Sequence, residues 1–409
     1  MSDMVIDPSE VGLDAARLRR IERHFARYVD DGRLVGWQVV VSRHGRLAYS
    51  ATCGHRDREA GLPVEEDTLW RIYSMTKPIT SVAALSLLEE GAFELTDPVS
   101  RWIPALADVR VWDGGTPQAP KTVPAMEPIR MWHLLTHTSG LTYGFINAHP
   151  VDALYRANGF DFGHPAGLDL AACVDRWAQL PLLFQPGTEW GYSVATDVLG
   201  RVLEVLAGAP LDEVLAERVL NPLGMTDTHW SVTRSDAHRL AALYAPHPET
   251  GAATRLDSVG SGALRPPTML SGGGGLISTA ADYLRFTEML RRGGELDGVR
   301  VLGPRTLAYA TRNHLPGGHD LAWYGRGQFS EVAYAGVGFG LGFSVTTDPL
   351  RGKVVSSEGD FGWGGAASTA FWVDPVEDLT VVFFTQLLPS SRYPIRTQLR
   401  QLVHQAILD

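Results

Sequence analysis

Apolar positions near the two ends of this chain recur with two different periods. Over residues 14–29, Leu18, Ile21, Phe25 and Tyr28 fall on one stripe, the spacing of an amphipathic helix. Asp14 stands where an N-cap belongs, and Gly32 where such a helix stops. The next stretch, WQVVVSRHGRLAYS, carries apolar runs on both sides of His44-Gly45 and predicts a β-hairpin. Toward the other end, FSVTTDP, KVVSSEG, ASTAFWVDP and LTVVFFTQ predict strands joined by short turns. Helical spacing returns from Pro394 to Leu408, with Ile395, Leu399, Leu402 and Ile407 on one face. A lone hairpin is not stable. The N-terminal pair is therefore expected to complete the C-terminal antiparallel sheet, with both terminal helices on one of its faces.

Between about residues 75 and 225 the pattern is mainly helical. TSVAALSLLEEG, IRMWHLLTH, LDLAACVDRWAQL, VATDVLGRVLEVLAG and LDEVLAERVL are separated by Gly and Pro connectors. The expectation is an α+β fold. Its discontinuous α/β domain, residues 1–80 and 225–409, holds an antiparallel sheet flanked by N- and C-terminal helices. A mainly helical domain, residues 81–224, is inserted into it. A site is expected in the cleft between the two. SGGGGL at residues 271–276 reads as a short flexible turn, without the spacing of a phosphate-binding loop.

Composition narrows the function classes. A net charge of −10 argues against a nucleic-acid footprint. No run of about 18 apolar residues suggests a membrane span. The opening MSDMVIDPSE lacks a basic segment followed by an apolar one, so it does not read as a secretory signal. Cys53 and Cys173 form neither a disulfide framework nor a CxxC metal site. A cytoplasmic protein is expected, with oligomeric state unassigned.

One stretch, RIYSMTKPIT at residues 71–80, adds chemistry. Lys and Arg together number 36, yet only Lys77, Lys121 and Lys353 are lysine. Lys77 follows Ser74 by three residues, the spacing that puts two side chains on one helical face. Pro78 suits the first turn of a helix. A serine nucleophile needs a base. A buried lysine can lose its proton, and an arginine cannot. The helix that follows is apolar nearly all round and so predicted buried. Competing motifs are absent: there is no GxSxG and no HExxH. His133 and His137 are spaced i, i+4 with no third ligand evident, and read as structural.

SMTK, then HLLTHTSGL (133–141), then LSGGGGLISTAADYLRF (270–286) resemble the serine-hydrolase superfamily of class C β-lactamases, D-Ala-D-Ala peptidases and family VIII carboxylesterases. The resemblance covers most of the chain and implies the α+β architecture read above. It implies Ser74 as nucleophile with Lys77 and Tyr192 moving its proton. The family's Tyr-x-Asn motif falls on Tyr192-Ser193-Val194, with Val194 in place of Asn. Its Lys-Thr-Gly motif falls on Trp363-Gly364-Gly365, a form similar to that of family VIII esterases. The resemblance implies an oxyanion site between the backbone N–H groups of Ser74 and Ala366. Trp363 supplies no cation for a substrate carboxylate, and Val194 cannot bond a substrate amide. Losing both contacts should cost on the order of 10² in discrimination. A carboxylesterase acting on small neutral esters is the expectation, with a β-lactamase, D-amino-acid amidase or peptidase, or an acyltransferase on the same scaffold as alternatives. Tyr143 is expected to line the pocket or touch Lys77. The partner is a small-molecule ester, and no metal or cofactor is implied.

Overall fold

The computed structural model describes residues 4–326 and 329–409. The first three residues of MSDMVIDPSE therefore lie outside the described residues.

Helix α1, Ala15–Asp30, forms where the apolar stripe predicts. The Asp14 carboxylate accepts the Arg17 N–H at 2.9 Å, and Leu18, Ile21, Phe25 and Tyr28 are buried. The chain leaves it through Gly32, at φ 70°. Strands β1, Gly36–Arg43, and β2, Arg46–Asp57, make the expected hairpin. His44 and Gly45 both take positive φ, as a two-residue turn matched to the strand twist requires. Short strand β3, Leu62–Pro63, follows at the edge.

The remaining strands of the main sheet come from the C-terminal third. They are β4, Val337–Phe339; β5, Ser344–Thr346; β6, Phe361–Gly365; β7, Thr369–Asp374; and β8, Leu379–Thr385. The spatial order is β4-β5-β6-β7-β8-β1-β2-β3, antiparallel throughout. At its centre β1 pairs with β8, Val39 opposite Phe383. β1 and β8 are buried along their whole length, so their central stretches, 39–41 and 381–384, are apolar on both faces rather than alternating.

Each sheet face has its own core. On one, α1 and the last helix, α5 (Ile395–His404), pack Phe25 and Leu399 with Trp37, Val39 and Phe383. This is the placement the sequence pattern predicts. On the other, a helix at Ala280–Arg291, here α4, sets Tyr283 and Phe286 against Phe371 and Phe384. The same core continues through helices α2, Thr76–Glu89, and α3, Ala195–Ala207.

Two readings need correction. KVVSSEG forms no strand. The place beside β5 is taken by β6, with Ser344 opposite Gly362, and Val355 in the skipped stretch is 61% exposed. The mainly helical middle also contains a hairpin, Arg110–Thr116 paired with Ala119–Pro124. Its residues are largely exposed and interrupted by Gly114 and Gly115, so they lack the apolar alternation that marks a strand. Among the described residues no helix is long and apolar enough to cross a membrane.

Candidate active site

Ser74 sits in a single 3-10 turn, Tyr73–Met75, that runs straight into α2. The turn is bent by Tyr73, which holds φ 44°, a conformation unusual for a large side chain. Met75 O accepts the Tyr283 hydroxyl at 2.9 Å, and Thr76 Oγ1 accepts the Leu276 N–H at 3.1 Å. The start of α2 is thereby fastened to α4 and to the glycine turn before it.

Lys77 points back along the helix, as α2 side chains must. Its Nζ reaches Ser74 Oγ at 3.3 Å, Tyr143 Oη at 3.0 Å and the Gly273 carbonyl at 2.7 Å. It also lies 4.6 Å from the centre of the Tyr192 ring. Burial lowers the Lys77 pKa to about 8, while Asp197 and Glu331 pull it upward. A large part of the lysine is therefore neutral near pH 8.

Tyr192 lies in the loop that leads into α3, with Val194 at the N-cap of that helix. Burial pushes its phenol well above the usual range and the Glu331 charge adds to this, while Ser74 and Trp363 beside it pull the other way. The hydroxyl is buried and faces Ser74 and Trp363 without a hydrogen bond of ordinary geometry to either. Its ring packs against Tyr143 at 5.4 Å and Trp363 at 5.5 Å between centroids. Trp363 Nε1 is likewise buried without a partner.

The glycines after Trp363 are set by close approach. A side chain on Gly364 would meet the Arg396 guanidinium carbon at 2.3 Å, and one on Gly365 would meet the Ile72 carbonyl at 2.3 Å. Gly365 thus brings the end of β6 onto the backbone just before Ser74. Ala366, the next residue, lines the same cavity as Ser74, Tyr143 and Val194, a space of about 230 Å³. Among the described residues, neither the Ser74 nor the Ala366 N–H is taken by a turn or loop carbonyl.

The structure therefore brings Ser74, Tyr143, Val194 and Ala366 onto one space, with Lys77 against Ser74 and Tyr143, and Tyr192 packed between Tyr143 and Trp363. Two more acids belong to it that sequence reasoning passed over. Asp197, buried on α3, accepts the Ser271 hydroxyl at 2.6 Å and the Gly273 N–H at 3.0 Å. Its signal was a carboxylate on the buried face of a helix whose neighbours are apolar. Glu331 lies in an irregular segment and gave no signal. Its Oε2 is held by Arg396 at 2.6 Å and Ser390 at 2.8 Å, while Oε1 is buried without a partner.

SGGGGL is not the flexible turn expected. Gly273 joins Asp197 to Lys77, the Gly272 carbonyl accepts the Thr80 hydroxyl at 2.8 Å, and a side chain on Gly275 would strike Trp230 at 2.5 Å. The histidines of HLLTH have structural partners. His133 Nδ1 accepts the Arg130 N–H, and His137 Nδ1 is paired with Ser193 Oγ at 3.1 Å. Among the described residues no cluster of His, Cys, Asp and Glu is arranged to hold a metal.

Comparison with known proteins gives the family. The beta-lactamase family model matches residues 21–405, and the chain belongs to that family. Esterase EstB of Burkholderia gladioli is 35% identical over 405 residues, covering 94% of each chain. The lovastatin esterase of Penicillium rubens is 31% identical over 371 residues, covering 87% of this chain and 89% of that one. Among solved structures, EstCE1, described as a hydrolase with promiscuous acyltransferase activity, superposes with a TM-score of 0.81. It is 30% identical, and the match covers 95% of this chain and 98% of that one.

Proposed function

We propose that the protein is a carboxylesterase of the family VIII type, working through an acyl-enzyme on Ser74. The observation that carries this reading is the buried Lys77 amine, 3.3 Å from the Ser74 hydroxyl with its pKa lowered to about 8. A neutral amine at that distance is a base positioned for a serine.

Ser74 Oγ attacks the ester carbonyl, and its proton passes to Lys77. The Tyr192 phenol remains protonated near neutral pH. Lying beside Ser74 and close to Lys77, its hydroxyl gives a proton to the departing alkoxide and takes the one held by Lys77 in return. The C–O bond breaks, the alcohol leaves, and the acyl group stays on Ser74. Water then attacks the acyl carbon, gives its proton to the Lys77–Tyr192 pair, and Ser74 Oγ departs with a proton returned from it. The Ser74 and Ala366 N–H groups hold the negative oxygen at each tetrahedral stage, worth about 3 kcal/mol per donor.

Small esters with a neutral acyl group are the substrates favoured. Trp363 presents an apolar ring where a cation would hold a carboxylate, and Val194 presents no amide. The relatives named as esterases support the same reading. Purified protein is expected to turn over a p-nitrophenyl ester far faster than a chromogenic cephalosporin or a D-amino-acid anilide. A fluorophosphonate adduct on Ser74, read by mass spectrometry, checks the nucleophile; its absence overturns the mechanism. A second reading, acyl transfer to an alcohol in place of water, is favoured by the likeness to EstCE1. Faster ester consumption on adding an alcohol acceptor tests it.

A further inference from the structure

The cavity beside Ser74 has two features that an apolar acyl pocket does not need. The first is a continuous aromatic wall. Tyr73 and Phe162 lie 6.2 Å apart, Phe162 and Phe145 5.6 Å, and Phe145 and Tyr143 4.8 Å between ring centroids. Phe160 and Trp177 close the wall further round. The second feature is its charge. Asp161, Asp197 and Glu331 line this space, and among its described lining residues there is no Lys or Arg. Lys77 stands at the back, occupied by Gly273, Tyr143 and Ser74.

Glu331 gives the charge a direction. Its Oε2 is tied to Arg396 and Ser390, and neither of these lines the Ser74 cavity. Both lie instead on a separate space of about 300 Å³ behind Trp363. Glu331 itself lines both spaces, and its Oε1 is buried with no donor. A buried carboxylate oxygen without a donor calls for one from a ligand or water. Aromatic faces around a carboxylate are the setting in which an ammonium ion is held, by attraction to the ring faces and to the charge together.

We propose that this cavity is a subsite for a positively charged amine, so that the preferred substrates are esters carrying an ammonium group, with Glu331 and the Tyr73–Tyr143 aromatic wall as its recognition elements. This rests on reading the space beside Ser74 as the substrate site and names the substrate class within it. An anionic substrate is disfavoured by the same three carboxylates.

The test is a pair of equal shape and different charge: choline and 3,3-dimethylbutan-1-ol. Binding of each is measured by calorimetry to the full chain carrying Ser74→Ala, which cannot turn over. Choline is expected to bind about tenfold more tightly or better. Glu331→Gln in the same background is expected to remove most of that preference. Because Glu331 also pairs with Arg396, Asp161→Asn at an exposed position is a second variant that leaves the fold alone, and it is expected to weaken choline severalfold. Equal affinity for the two probes, or a preference that survives in both variants, overturns the proposal. An unmodified chain that turns over no ester while the choline preference persists would sink the esterase reading and leave the cation subsite standing.

Discussion

Lys77 and Asp197 are joined through one glycine rather than by a direct ion pair. Gly273 gives its N–H to the carboxylate at 3.0 Å and takes the ammonium on its carbonyl at 2.7 Å. The acid is near enough to raise the lysine's pKa but leaves Nζ free to face Ser74. A direct pair would hold the proton on the lysine and spoil it as a base.

The first prediction is a pH profile. With Lys77 as base, kcat/KM for a neutral ester should rise with pH through an inflection near 8. Lys77→Arg should lose this limb together with nearly all turnover, since arginine keeps the charge but cannot release the proton. A variant that retains substantial rate would remove Lys77 from proton transfer.

The same shift acts on stability. The folded lysine gives up its proton at about 8, against 10.5 for an ordinary lysine. Between those values the unfolded chain binds more protons, so this group's contribution to stability should rise with pH across that window. The penalty is present in full below the folded value. Urea midpoints at pH 7.5 and 10 for the native chain and Lys77→Met should show the native chain gaining on the variant.

Asp197→Asn keeps an acceptor for Ser271 and Gly273 but removes the charge. Because Asp197 raises the Lys77 pKa, the inflection should move below its native position. A pH–rate profile of the variant checks the direction, and an upward move contradicts it.

Tyr192→Phe separates activity from stability. The hydroxyl is buried with no hydrogen bond of ordinary geometry to Ser74 or Trp363 beside it, so deleting it should change stability by no more than about 1 kcal/mol. Turnover should fall by about 10² to 10⁴ with the loss of the proton relay. A parallel fall in the denaturation midpoint would make Tyr192 a structural residue instead.

Gly364→Ala and Gly365→Ala should fail in different ways. At 364 the added carbon strikes the Arg396 side chain, which can shift, so stability should drop by about 1–3 kcal/mol. At 365 it strikes the Ile72 backbone. That pushes β6 away from Ser74, so kcat should fall by more than the denaturation midpoint accounts for.

Much of this was legible in the chain because single local rules decide it. Asp14 caps α1, His44-Gly45 turns the hairpin, and the stripe of Ile395 and Leu399 places α5. Ser74 and Lys77 could be paired because one helical turn separates them. What escaped depends on distant partners. Val354 and Val355 look like strand residues until β6 occupies the edge beside β5. SGGGGL looks loose until Asp197, Thr80 and Trp230 close on it. Glu331 has meaning only through Arg396, 65 positions further on, and no local pattern connects the two.

The central pairing of β1 with β8 has a consequence for the order in which the protein comes into being. Ser74 and Lys77 leave the ribosome early. The strand that carries Trp363 and leads into Ala366, the β8 partner of β1, and the Arg396 that passes beneath Gly364 emerge some three hundred residues later. Contacts between such distant parts form slowly. Through most of its synthesis the nascent chain thus carries Ser74 and Lys77 without the Trp363–Ala366 segment, and the proposed site is complete only when the last strands close the sheet.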